Sequence, residues 1–146
     1  MLLFCGVKTS ESKFAKCLYF TTNALARKTE KLAMVSWSKV DLTPSHGYLL
    51  MMVNEVPGVQ PTFIADQLQL SPSTVTRLMA KLEAKKLLVR LTEGKTTYVY
   101  PTAKGKALFP RLKMCQEEFS RNYNRILAND QLDEFVKTIA RMSDEL

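Results

Sequence analysis

The chain has 146 residues, 46% hydrophobic and 24% charged, with a formal net charge of +7 at pH 7. That length suits a single domain able to bury roughly two-thirds of its unfolded surface, and that composition excludes global disorder. No apolar run approaches a membrane span, and the opening MLLFCGV, followed at once by Lys8, is too short for a complete signal peptide. Cys5, Cys17, Cys115 and the single histidine His46 lie far apart without the paired spacing of a zinc site, so none is expected. The expectation is a cytoplasmic protein with free thiols and no metal or other cofactor.

The first periodic segment runs from about Ser10 to Val35, where Phe14, Leu18, Thr21, Leu25, Leu32 and Val35 recur at the steps of one helical face. Ser36, Trp37 and Ser38 interrupt it. Thr43 then offers an N-cap and Pro44 a first helical residue whose missing N–H costs nothing, opening a second helix that ends at Pro57-Gly58. Pro61 opens a short third helix with Phe63, Ile64 and Leu68 expected inward, and Ser71-Pro72 repeats the cap signature for a fourth. There Val75, Leu78, Met79 and Leu82 form the apolar stripe of a helix docked on a core, and Ser73, Thr74, Thr76, Arg77, Ala80 and Lys81 occupy the opposite face. Two short helices joined by a tight turn, the second with a small polar outer face, form a helix-turn-helix.

After Lys86 the pattern changes to β. Leu87 to Thr92 and Thr96 to Tyr100 are rich in β-branched and aromatic residues, with Glu93-Gly94-Lys95 as the turn. Thr102 can cap a long helix reaching about Leu127, and Pro110 inside it predicts a kink. Asn129 or Asp130 caps a last helix whose apolar face is Leu132, Phe135, Val136, Ile139 and Met142.

The charge is concentrated. Residues 71–106 hold eight basic residues and two acids, a net +6, whereas residues 115–146 hold four basic residues and seven acids. A basic helix face joined to a basic hairpin suits phosphates and base edges, and the acidic C-terminus argues against a uniformly basic coat. One histidine, no glycine-rich phosphate loop and no nucleophile elbow leave no catalytic constellation, so an enzyme is not expected.

The stretches LTPSHGYLL, FIADQLQLSPSTVTRLMAKLEAKKLLVR and TAKGKAL, in this order and with this succession of helices and hairpin, resemble the MarR family of regulators. The resemblance covers nearly the whole chain. It implies a mainly α fold with a small β-hairpin wing: a winged helix-turn-helix with N- and C-terminal dimerisation helices. Residues 1–146 are then one domain, with about 10–40 and 103–146 as the helical dimerisation region and about 43–102 as the DNA-binding core. The function implied is a homodimeric regulator, commonly a repressor, that binds pseudo-palindromic double-stranded DNA. Its recognition helices would lie about 34 Å apart, and a signal would act by changing that separation. The sequence departs from the family at Lys86, where glycine is usual, at His46, where glutamine is common, and in a short wing without the Asp-x-Arg signature.

Within that reading Arg77 and Lys81, one turn apart, are the candidate base contacts, with Ser71, Ser73, Thr74 and Thr76 at base edges or phosphates. Lys95, Thr96 and Thr97 suit backbone contacts at the wing, and Arg90 suits either a phosphate or a carboxylate. Trp37, His46, Tyr48, Met51 and Met52 are either a methionine-filled core or the pocket in which family members bind small aromatic or anionic effectors. Cys5 is the candidate redox thiol against the alternative of an ordinary cysteine. A winged-helix module that binds protein rather than DNA is the other function class, favoured by the truncated wing.

Overall fold

A computed structural model describes residues 6–127 and 131–146. Helix α1 spans Leu18–Trp37, α2 Pro44–Glu55, α3 Pro61–Leu68 and α4 Pro72–Ala84. The hairpin strands β1 (Leu88–Glu93) and β2 (Thr96–Pro101) follow, then α5 (Ala103–Leu127) and α6 (Leu132–Asp144).

The first helix starts later than its periodicity predicts. Thr9–Glu11 is a 3-10 turn, and Cys17 is still extended at φ −89° and ψ 119°. Ser12 Oγ accepts the Phe14 backbone N–H at 3.2 Å, a local bond that competes with a helical start. Phe14 therefore leaves the expected buried stripe; it is 52% exposed and packs against Phe20 at 5.8 Å between ring centroids. At the other end α1 runs on through Ser36 and Trp37, both fully buried, before a 3-10 turn at Ser38–Val40 and left-handed Asp41.

Pro44 stands at the start of α2 as expected, but the Thr43 hydroxyl caps no backbone N–H; it lies 2.6 Å from His46 Nδ1 instead. Helix α2 is the centre of the core, with Leu49, Leu50 and Val53 inaccessible to solvent. Gly47 lets it approach α1: a Cβ there would come within 2.4 Å of the Trp37 ring. In α3 Ile64 is buried and Leu68 partly so, but Phe63 is 47% exposed. One residue of helical rotation carries Phe63 off the stripe that Ile64 and Leu68 define.

The turn between α3 and α4 closes through Gln69, left-handed at φ 52°, and the Leu70 N–H bonds the Ala65 carbonyl at 3.0 Å. Ser71 caps α4 by accepting the Thr74 N–H at 3.2 Å. Val75, Met79 and Leu82 anchor the helix in the core, with Leu78 at its margin. At its far end Lys86 adopts the left-handed conformation, φ 58°, and the Leu87 N–H reaches back to the Leu82 carbonyl at 2.9 Å. The departure from glycine thus leaves the cap geometry in place, carried by a lysine.

The hairpin pairs antiparallel from Leu88 opposite Pro101 to Glu93 opposite Thr96, around a Gly94-Lys95 turn. Val59 adds an isolated antiparallel bridge to Val99, tying the α2–α3 connection to the wing. Thr102 caps α5 as expected, its hydroxyl accepting the Gly105 N–H at 3.0 Å while donating to the Lys86 carbonyl at 2.7 Å. The helix runs on through Pro110, and its Leu112 is fully buried. The expected caps Asn129 and Asp130 lie outside the described residues; Gln131 precedes α6 and makes no side-chain cap. Leu132 is buried, but Phe135, Val136, Ile139 and Met142 are each between 42% and 53% exposed.

Candidate nucleic-acid interface

The outer face of α4 is formed as its spacing requires. Ser71, Ser73, Thr76, Arg77 and Lys81 are exposed and Thr74 half-buried. The hydroxyls form a local cluster, with Ser71 Oγ 3.1 Å from Ser73 Oγ and 2.8 Å from Thr74 Oγ1. Thr76 Oγ1 donates to the Pro72 carbonyl at 3.0 Å, and Arg77 leans along the helix, 3.4 Å from Thr74 Oγ1. Hydroxyls and a guanidinium are thus gathered over the N-terminal half of one helix, whose positive dipole end favours anions.

The wing extends this surface. Lys95 is exposed at the tip, Thr96 and Thr97 are half-buried, and Thr97 Oγ1 lies 3.4 Å from Thr92 Oγ1. Arg90 is engaged elsewhere. Its guanidinium meets Glu83 of α4 at 2.5 Å, and its backbone N–H donates to the same carboxylate at 3.2 Å. Of the two partners left open by the sequence, a phosphate or a carboxylate, the fold supplies the carboxylate. The Arg90 guanidinium holds the Glu83 carboxyl below the usual glutamate range, and Glu83 in turn raises Arg90.

Other ion pairs escaped sequence reasoning because they join distant segments. Lys85 reaches Asp41 at 2.5 Å, Lys39 reaches Glu118 at 2.6 Å, and Arg111 donates to the Lys39 carbonyl at 2.9 Å. Lys104 Nζ donates to the Lys85 carbonyl at 3.1 Å, so the first turn of α5 grips the end of α4. Gly105 makes this contact feasible: a Cβ there would stand 2.0 Å from the Leu87 carbonyl oxygen.

The candidate effector residues are divided by the fold. Trp37 and Met51 are core residues, Met52 packs against that core, and the Tyr48 ring sits 5.3 Å from the Trp37 ring. Burial pushes the Tyr48 hydroxyl pKa up. His46 alone of the group lines a described cleft, shared with Lys81 and Lys85. Burial lowers its pKa first, and the two lysines lower it further. A second cleft, of about 550 Å³, runs along α1 and collects Arg27, Lys28 and Lys31, cations to which the sequence assigned no role. Cys5 lies outside the described residues; Cys17 is exposed, and Cys115 is buried with its thiol pushed up by that burial. Among the described residues no group of three or more His, Cys, Asp or Glu could hold a metal ion, and no helix is long and apolar enough to cross a membrane.

A helix-turn-helix whose second helix is followed by a two-stranded hairpin, set within long flanking helices, defines a winged helix-turn-helix protein. Residues 40–96 match the model of the MarR family. The HTH-type transcriptional regulator YybA of Bacillus subtilis (strain 168) is 26% identical over 92 residues, an alignment spanning 61% of this chain and 61% of that relative. MepR of S. aureus, in a complex with DNA, superposes with a TM-score of 0.77 at 19% identity, covering 88% of this chain and 98% of that one. The transcriptional repressor CouR, bound to p-coumaroyl-CoA, reaches a TM-score of 0.82 at 20% identity over 95% of this chain and 100% of that one. The chain is thus similar to the MarR family over its winged segment 40–96, and it shares the fold of these regulators.

Proposed function

We propose that the protein is a homodimeric, sequence-specific DNA-binding transcriptional regulator, a cytoplasmic repressor released by a small molecule or stress signal, and not an enzyme. The observation that carries this reading is the exposed face of α4, where Arg77 and Lys81 stand beside a cluster of hydroxyls and no acidic side chain intervenes between Ser71 and Leu82. Arg77 suits a bidentate contact to guanine, and the hydroxyls suit phosphates and base edges. Lys95, Thr96 and Thr97 would follow the backbone from the wing, while Arg90 is bound to Glu83. Support comes also from the relatives: one is named a transcriptional regulator, one is seen with DNA, and one is a repressor seen with a ligand.

Dimerisation is supported by the apolar stripe of α6, half exposed in a single chain, and by exposed Leu18, Tyr19 and Leu25 on α1. We assign residues of about 10–40 and 103–146 to that contact and about 43–102 to DNA. One recognition helix alone makes too few contacts for useful specificity.

The deciding experiment is a gel shift on the DNA upstream of the protein's own coding region, repeated across salt concentrations. Affinity should fall steeply as salt rises, and Arg77→Ala should weaken the specific site by ~1–3 kcal/mol while affecting random DNA less. Absence of binding at low salt, or binding indifferent to salt, would instead favour a module that binds protein, the reading suited to a wing tip without arginine.

A further inference from the structure

An arginine side chain turns about several single bonds, and all of them must be fixed before its guanidinium can present paired donors to one guanine. A guanidinium already held in one direction loses less freedom on contact, and its donors are aimed at one arrangement of acceptors rather than at many. The free chain holds Arg77 in this way.

The hold starts at the cap of α4. Ser71 Oγ accepts the Thr74 backbone N–H at 3.2 Å, which fixes the serine at the first turn. Thr74 Oγ1 lies 2.8 Å from that same Ser71 Oγ, and Ser73 Oγ lies 3.1 Å from it on another side. Arg77 Nη2 then donates to Thr74 Oγ1 at 3.4 Å. A guanidinium has no acceptor, so Thr74 must accept from Arg77; its own proton or its other lone pair serves Ser71. The bond takes a single N–H of the guanidinium and leaves enough donors for a bidentate contact.

Thr74 is suited to this task where its neighbours are not. It is half-buried, whereas Ser71, Ser73, Thr76 and Arg77 are exposed. Its β-branched side chain is restricted at χ1 within a helix, so the hydroxyl stays where the backbone sets it. Thr76, of the same chemical type, turns inward and spends its proton on the Pro72 carbonyl at 3.0 Å.

We propose that Thr74 is a positioning residue: its hydroxyl, steadied by Ser71, holds the Arg77 guanidinium for a guanine, and discrimination between DNA sequences depends on that hold. The hold itself is a property of the free protein. Its use in base recognition rests on the DNA-binding reading.

The hold is tested in the full chain without DNA, by NMR relaxation of the Arg77 side-chain Nε–H. Thr74→Val keeps the side-chain shape and the backbone bond to Ser71 but removes the hydroxyl, and it should lower the Arg77 order parameter. Thr74→Ser keeps the hydroxyl and should leave that parameter near the wild-type value. An unchanged order parameter in Thr74→Val, or an equal fall in Thr74→Ser, overturns the hold. Its use is tested by comparing affinity for the DNA upstream of the coding region with affinity for random DNA of the same length, at one salt concentration. Thr74→Val should lower the ratio of the two roughly fivefold, the worth of one ordinary hydrogen bond, with the random-DNA affinity retained. Thr74→Ser should restore the ratio. In an Arg77→Ala background Thr74→Val should cost nothing further, because the group it positions is gone. The same cost in that background would mean that Thr74 touches the DNA itself, and an equal loss on both DNAs would make it a phosphate contact; either result overturns the positioning role. A wild-type protein that binds no DNA removes the regulator reading and the recognition role with it, while the relaxation measurement still decides the hold.

Discussion

Lys86 shows how much a single backbone angle can matter. Its φ of 58° is the left-handed conformation that costs a residue with a Cβ roughly 1–2 kcal/mol, and glycine would avoid that clash at some entropic cost in the unfolded chain. Lys86→Gly is therefore expected to stabilise the fold by about 1 kcal/mol, visible as a rise of a few degrees in the thermal midpoint. An unchanged or lower midpoint would show that the lysine side chain makes up the difference. The usual glycine at this position pointed to the geometry, and the chain adopts it with a lysine. The hydrogen bonds from Lys86 and Leu87 back to the Glu83 and Leu82 carbonyls hold the conformation whatever the residue.

At the level of elements, the joint between α4 and the wing depends on Glu83 and Arg90. The carboxylate takes both the guanidinium and the backbone N–H of Arg90, so it fixes the first wing strand against the end of α4. A double-mutant cycle with Glu83→Gln and Arg90→Gln should give a coupling of ~0.5–1 kcal/mol in unfolding, because both side chains are only partly exposed. Glu83 has its pKa lowered in the fold, so this contribution is full above the ordinary glutamate range and is lost as pH falls through the lowered value. The salt dependence of DNA binding should stay the same in Arg90→Gln; a shallower dependence would mean that Arg90 leaves Glu83 for a phosphate. The helices themselves were largely legible in the chain, since Ser71-Pro72, Pro61 and Pro44 mark their starts. Phe14 and Phe63 were misplaced because periodicity ranks a face by hydrophobicity and cannot see that a turn or a rotated stripe leaves an aromatic outside.

For the molecule as a whole, the apolar stripe of α6 has no full cover within one chain. Ile139, at 42% exposure, lies in the middle of Phe135, Val136 and Met142. Full burial of such side chains is worth roughly 1.5–3 kcal/mol each, so covering their exposed halves contributes about half of that, and a two-fold contact counts every residue twice. Ile139→Asp should give a monomer in sedimentation experiments with its helical content retained and with specific DNA affinity lost. A variant that remains dimeric would move the interface elsewhere, and a wild-type monomer at micromolar concentration would remove the two-fold reading. In the proposed dimer each recognition helix would engage one half-site, and their separation, about 34 Å on successive grooves, would be set by the helices that join them.

By itself the sequence determined where α2, α3 and α4 begin, which face of α4 is polar, and that a hairpin follows it. Cap chemistry, proline placement and hydrophobic period act over a few residues, so they survive in a one-dimensional reading. Only the tertiary structure decided that Arg90 belongs to Glu83, that Lys85 belongs to Asp41, 44 residues away, and that Trp37 and Met51 are core. These outcomes depend on which side chains packing brings within a few ångströms. The same packing set Lys81 between the polar face of α4 and the cleft beside His46.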